Sequence, residues 1–149
     1  MKELEFKEYS DQVLAKIRDT ENIVLATCAD NHVTTRLVGH LLHEKTIMFS
    51  TKIGSYKVEQ IKQNSRVCFF LDGLNIEAIA SVYGHPSTHL EYSKAYAAKY
   101  PDYVSTYAST PEDVLITAEI KKIQIYSYDG SAGKIIIDFD EERAYRIEL

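Results

Sequence analysis

Two hydrophobic periods divide this chain. Phe6, Tyr9, Val13, Leu14 and Ile17 recur every three or four residues, which predicts an amphipathic helix over about residues 6–18. From Ile23 onward the pattern is that of strands. Ile23–Ala29 is a short apolar run rich in strand formers, followed by the turn residues Ala29-Asp30-Asn31-His32. Asp and Asn suit that turn because they tolerate left-handed backbone angles and bond to their own backbone. Val33–His43 reads as a second strand, His43-Glu44-Lys45 as a tight turn and Thr46–Thr51 as a third strand, an antiparallel meander. Ser55–Asn64 reads as a short helix, with Ser55 in the N-cap position and Val58 and Ile61 on a narrow apolar stripe. Arg66–Leu71 is nearly continuously apolar, which predicts a strand buried on both faces. Asp72-Gly73 turns the chain into a strand over about Asn75–Gly84. Pro86 suits the start of a helix running to about Lys99, and Pro101 breaks it and could open a second short helix. In Val114–Tyr128 the apolar parity runs through Val114, Ile116, Ala118 and Ile120, then switches to Ile123 and Ile125. A bulge near Lys121-Lys122 is the expected cause. Ile135–Ile137 forms the last strand. The expectation is a mainly β protein, a barrel of six or seven mostly antiparallel strands with peripheral helices.

The 149 residues suit a single domain spanning 1–149, and 45% hydrophobic with 26% charged residues is an ordinary globular composition. No apolar run is long enough to cross a membrane. Acids occupy the N-terminal stretch where a signal peptide would have its apolar core, so a cytoplasmic protein with reduced Cys28 and Cys68 is expected. A net charge of −5 argues against nucleic-acid binding. The charge is uneven. Val33–Arg66 carries six bases against two acids, net +4, while the remainder carries eleven bases against twenty acids, net −9. Either these bases are a solvated face, or they mark a site for a small anion.

The chain has no phosphate-binding Walker loop, dinucleotide GxGxxG or GxSxG nucleophile elbow. His43-Glu44 lacks a second histidine at helical spacing, and no metal site is expected. His85 and His89 read as helix-end histidines, and an acid–base role for His40 stays open. The informative constellation is Thr35-Arg36-Leu37-Val38-Gly39-His40, Met48-Phe49-Ser50-Thr51 and Gly54-Ser55-Tyr56-Lys57-Val58. Arg36, Val38 and His40 share one strand parity. Ser55 and Lys57 open a helix, whose free N–H groups and positive dipole end suit phosphate. Arg36 could add a forked guanidinium and Lys57 a point charge. Charge-assisted hydrogen bonds contribute about 1.5–3 kcal/mol each, so three or four would hold a phosphate firmly. The alternative is a simple cap at Ser55 and a solvated Lys57.

Ile23–Thr27, the Arg36 strand, Phe49-Ser50-Thr51 and Ser55-Tyr56-Lys57-Val58 ending at Asn64 together resemble the pyridoxamine 5'-phosphate oxidase-like split-barrel family, in its small general-stress-protein-like branch. The resemblance implies a homodimer binding flavin mononucleotide (FMN) in clefts between subunits. It places Arg36, Ser50, Thr51, Ser55 and Lys57 on the flavin phosphate, and Leu37 and Val38 along the isoalloxazine ring, partly through backbone. Three positions depart from the true oxidases. Tyr56 stands where they have arginine, Leu41 where they have lysine, and Ala78 near an expected glutamine; Asp138–Leu149 also lacks their arginine- and histidine-bearing tail. The resemblance thus implies an FMN-dependent oxidoreductase acting on a small organic molecule, with a nicotinamide as a candidate donor, but a poor pyridoxamine 5'-phosphate oxidase. The alternatives are a flavin carrier or sensor without turnover, and a barrel holding haem or a deazaflavin. Tyr92, Tyr96, Tyr100, Tyr103 and Tyr107, at helical intervals, read as packing onto the barrel or as an aromatic lid.

Overall fold

The computed structural model describes residues 1–103 and 110–149, Tyr103 by its backbone alone. Strand β1 (Lys2–Leu4) precedes helix α1 (Phe6–Arg18), whose bounds match the helical period and whose Ser10, Val13 and Ile17 are buried. Strands β2 (Asn22–Ala29) and β3 (His32–Gly39) form a hairpin. Asp30 and Asn31 close it with φ of 50° and 63°, the left-handed pair that a two-residue hairpin turn requires. Ile23, Leu25, Thr27 and Ala29 of β2 face inward in strict alternation.

The strand expected over Val33–His43 is two strands. β3 stays with β2, whereas β4 (Leu41–His43) pairs with β5 (Thr46–Lys52). The break falls at His40. Its backbone N–H donates to the Glu21 carbonyl at 3.2 Å, and its Nε2 lies 2.7 Å from the Ile17 carbonyl, so the residue is fastened to the end of α1. Lys99 Nζ reinforces this junction by donating to the carbonyls of His40 and Thr20.

Helix α2 (Tyr56–Gln63) leads to β6 (Arg66–Leu71) and β7 (Leu74–Gly84). β6 is not buried on both faces as expected. Val67 and Phe69 point inward and Phe70 is 51% exposed, because an antiparallel sheet can leave one face bare. The helix expected from Pro86 is also divided. A single 3₁₀ turn (Pro86–Thr88) precedes α3 (Leu90–Lys99), with His85 and His89 each accepting a backbone N–H at the start of its element. A second 3₁₀ turn follows at Pro101–Tyr103. β8 (Asp113–Tyr128), β9 (Ala132–Asp138) and β10 (Arg143–Glu148) complete the described strands.

All pairings are antiparallel, in the order β1-β10-β9-β8-β7-β6-β2-β3, with β5 joined to β8. Ten strands are present among the described residues, against the six or seven expected. The excess comes from β1 and β4, each only three residues long, and from β10, whose apolar alternation is faint. β8 is the central member. It pairs with β7 on one edge; on the other it pairs first with β5 and then with β9. Its register slips where Glu77 faces Lys122 but Ala78 faces Ile120, leaving Lys121 as the extra residue of the expected bulge. The bulge lets Ile116, Ala118 and Ile120 share the interior with Ile123. α1 and α2 close the same core through Val13, Ile17, Val58 and Ile61.

Burial holds the His40 imidazole below its ordinary pKa, with repulsion from Lys99 adding to it and the Ile17 carbonyl opposing. Protonation then favours the unfolded chain. Stability is complete above the unfolded-state pKa of about 6.5 and falls as pH drops through that value toward the lower folded pKa. Urea midpoints measured at about pH 7.5 and about pH 5.5 should differ less in His40→Gln, which keeps an N–H for Ile17, than in the wild type.

Candidate phosphate-binding site

The Arg36 side chain points inward from β3, sharing parity with Thr34 and buried Val38. There it meets two hydroxyls. Nη1 donates to Thr27 Oγ1 at 2.7 Å and Nη2 to Thr34 Oγ1 at 2.6 Å, while Nη1 also reaches the Leu25 and Thr34 carbonyls at 3.3 Å. Register explains the meeting, since Leu25 faces Arg36 and Thr27 faces Thr34 across the hairpin. Gln60, at 1% exposure, covers both threonines from α2. The sequence pattern marks neither threonine nor Gln60 as a site residue. The available signal was Gln60 itself, a polar residue beside Val58 and Ile61 on the stripe that α2 buries.

Lys57 enters from the first turn of α2, close enough for Arg36 to repel its charge. Its pKa is lowered first by burial and then by Arg36. Burial likewise lowers that of the guanidinium, which remains charged. Neither cation forms an ion pair with an acid among the described residues. Ser55 occupies the N-cap position of α2 but does not cap it. Its side chain bonds no helix N–H, and its Oγ is buried without a hydrogen-bond partner. A Ser cap is worth about 1 kcal/mol and an unsatisfied buried hydroxyl costs about 1–3 kcal/mol. Two cations without an acid partner among the described residues, an orphaned hydroxyl and the open N–H groups of a helix thus lie on or opposite the first turn of α2. An oxyanion with several acceptor oxygens would satisfy all of them.

Not every expected residue joins this cluster. Thr51 lies on the interior parity of β5 with Ile47 and Phe49. Ser50 faces the opposite way, on the wall of a cavity of about 240 Å³ shared with Gly39, His40, Tyr92, Tyr96 and Tyr100. The Val38 side chain belongs to the core, so its backbone is what a ligand could use. Leu37 is 67% exposed on the outer sheet face. Of the tyrosine series, Tyr92 packs in a cluster with Leu41, Met48 and Leu115, against which Tyr96 and Tyr100 lean. Packing thus accounts for these three, whereas the Tyr103 side chain and Tyr107 lie outside the described residues.

The family model described as pyridoxamine 5'-phosphate oxidase matches residues 9–127, from α1 nearly to the end of β8. The chain belongs to this family. No curated protein sequence matches it. Among solved structures, the fold is similar to that of a Clostridium acetobutylicum protein related to general stress protein 26 (TM-score 0.65, 15% identity, 91% of this chain and 98% of that one). It is also similar to General Stress Protein 26 from Bacillus anthracis (TM-score 0.63, 16% identity, 95% and 99%). A third similar fold is HutZ, the haem storage protein of Vibrio cholerae (TM-score 0.62, 10% identity, 79% and 92%). This chain therefore has the split barrel of the pyridoxamine 5'-phosphate oxidase family, with the Arg36–Lys57 cluster inside the matched region. No helix among the described residues is long and apolar enough to cross a membrane.

The cluster has a cost for the free protein. Lys57→Met removes a half-buried cation facing Arg36 and should stabilise the ligand-free protein by about 0.5 kcal/mol, a modest figure because solvent screens the pair. At roughly 2–4 °C per kcal/mol for a chain of this size, calorimetry should show Tm rising by about 1–2 °C.

Proposed function

We propose that the protein binds FMN and is an oxidoreductase acting on a small organic molecule, with a nicotinamide as candidate electron donor. The observation that carries this reading is the buried Ser55 Oγ, without a hydrogen-bond partner, near two half-buried cations that have no acid partner among the described residues. In this reading Arg36, Ser55, Lys57 and the first N–H groups of α2 hold the terminal phosphate, with Thr51 nearby on β5. The backbone of Leu37 and Val38 borders the ring system. Bound FMN supplies hydride acceptance and donation, and the chain's own residues fix its position and shield its phosphate charge from water. Ser50, in the tyrosine-lined cavity, has no part in the anchor.

The reading extends to a homodimer. On the outer sheet face, Leu37 pairs laterally with Val24, and Val24 with Phe70, an apolar row across three strands. Leu37, Phe70 and nearby Val33 are all exposed. A second copy is the common cover for such a face, and it would bring a subunit boundary beside the flavin.

Purified protein should retain the flavin double band after FMN addition and removal of unbound flavin; a Soret band would point to haem. Lys57→Met and Arg36→Met should each weaken FMN by about 10- to 100-fold, the loss of one or two charge-assisted hydrogen bonds. Riboflavin, which has no phosphate, should change by less than about threefold. Fluorescence titration of both ligands decides this.

Pyridoxamine 5'-phosphate is not the proposed substrate. Its own phosphate needs a second cationic clamp, and misplacement by about 1 Å can cost on the order of a hundredfold. Two of the positions that depart from the true oxidases are here given to packing, with Leu41 and Ala78 both buried and apolar. The C-terminal arginines are also engaged, Arg143 with Glu3 and Arg146 with Ser127 and the Ser131 carbonyl. Anaerobic mixing of FMN-loaded protein with this vitamer at micromolar concentration should leave the flavin band unbleached.

A further inference from the structure

Resting on the phosphate reading above, we infer that Gln60 is a positioning residue that sets the direction of the Arg36 fork through Thr27 and Thr34. A count of protons carries the inference. Gln60 Nε2 donates to the His32 carbonyl at 3.0 Å. A carbonyl can only accept, so the amide orientation is fixed and Oε1 must face the threonines. Thr27 Oγ1 donates to it at 2.6 Å and Thr34 Oγ1 at 2.7 Å. Each hydroxyl has one proton, and both protons are spent on the same amide oxygen. The two oxygens, 3.2 Å apart, are left as acceptors, and they take Arg36 Nη1 and Nη2.

The guanidinium is thereby held by its terminal edge. Its Nε–H and second Nη2–H, side by side on the other edge, have no protein partner among the described residues. That free edge is the one that forks a phosphate. Without Gln60 the two hydroxyl protons would lose their shared acceptor; one hydroxyl could then donate to the other, 3.2 Å away, which removes the amide's hold on both oxygens as acceptors for Arg36. The neutrality of the amide matters as much as its geometry. A carboxylate at position 60 would accept the same two hydroxyl bonds, but it would set its other oxygen against the His32 carbonyl and offset the Arg36 charge that the phosphate needs.

The test is the ratio of FMN to riboflavin affinity, which a merely structural role would not move. Wild type should prefer FMN. Gln60→Leu and Thr34→Val should each lower the ratio about tenfold by weakening FMN alone, one charge-assisted hydrogen bond's worth. Because both act through one chain of bonds, the double variant should fall little further than the worse single variant. Gln60→Glu, close in shape and able to keep the hydroxyl bonds though not the one to His32, should lower the ratio as well through its charge, and Thr34→Val carries the test if Gln60→Leu does not fold. A second readout needs no cofactor: the Arg36 Nε–H signal in nitrogen-15 NMR should broaden in Gln60→Leu and stay sharp in Gln60→Glu. A folded Gln60→Leu with an unchanged ratio, or with FMN and riboflavin weakened equally, overturns the inference while leaving the FMN reading intact. Absence of any FMN preference in the wild type overturns both.

Discussion

The molecule depends on one strand having two different neighbours on the same edge. β8 must pair with β5 over its first half and with β9 over its second, while β7 runs along its other side. A regular strand alternates its faces without interruption, so a flat sixteen-residue ribbon could not keep its interior side chains inside a curved barrel throughout. The extra residue at Lys121 resolves this by reversing the parity once. Ile120 and Ile123 then both reach the core, at the point where β8 changes partner from β5 to β9.

The site follows from that closure. β5 lies on β8 and ends at Lys52, which forms an ion pair with Asp113. The Ile53 N–H donates to the Glu112 carbonyl. This fixes the turn from which α2 starts, and so places Ser55 and Lys57 opposite the β2–β3 hairpin that carries Arg36. The threonines and Gln60 supply neutral hydrogen bonds where acids would have supplied charge. The arrangement keeps positive potential unspent, a state less stable than an ion pair and more useful for holding an anion.

Much of this was legible in sequence because the signals were local. The bounds of α1, the Asp30-Asn31 turn and the Lys121 bulge are each dictated by a few adjacent residues. The break at His40 was not legible. It arises from bonds to Glu21 and Ile17, both remote in the chain, and a continuous apolar pattern gives no hint of them. The same distinction divides the site. Ser55 and Lys57 were recognisable from a helix start, and Arg36 from its strand parity. The fold separates Ser50 from Thr51, since neighbours on a strand face opposite ways and only Thr51 has the interior parity. Thr27, Thr34 and Gln60 escaped notice because ordinary polar residues acquire meaning only when the hairpin and α2 bring them together. The Ser55 hydroxyl shows the converse: the sequence marks a cap, whereas the fold withholds its bond.

The dependence of β5 on β8 also imposes an order in time. As the chain is synthesised, β5 can pair only with three-residue β4 until Asp113 and the residues after it have emerged. Contacts separated by so much chain form slowly, because the entropy of closing the intervening loop is lost before the pairing can reward it. Helix α2 and the hairpin are therefore made early, whereas the turn that aligns them is fixed late. The nascent chain thus carries every residue of the candidate site well before the turn that brings them together is fixed.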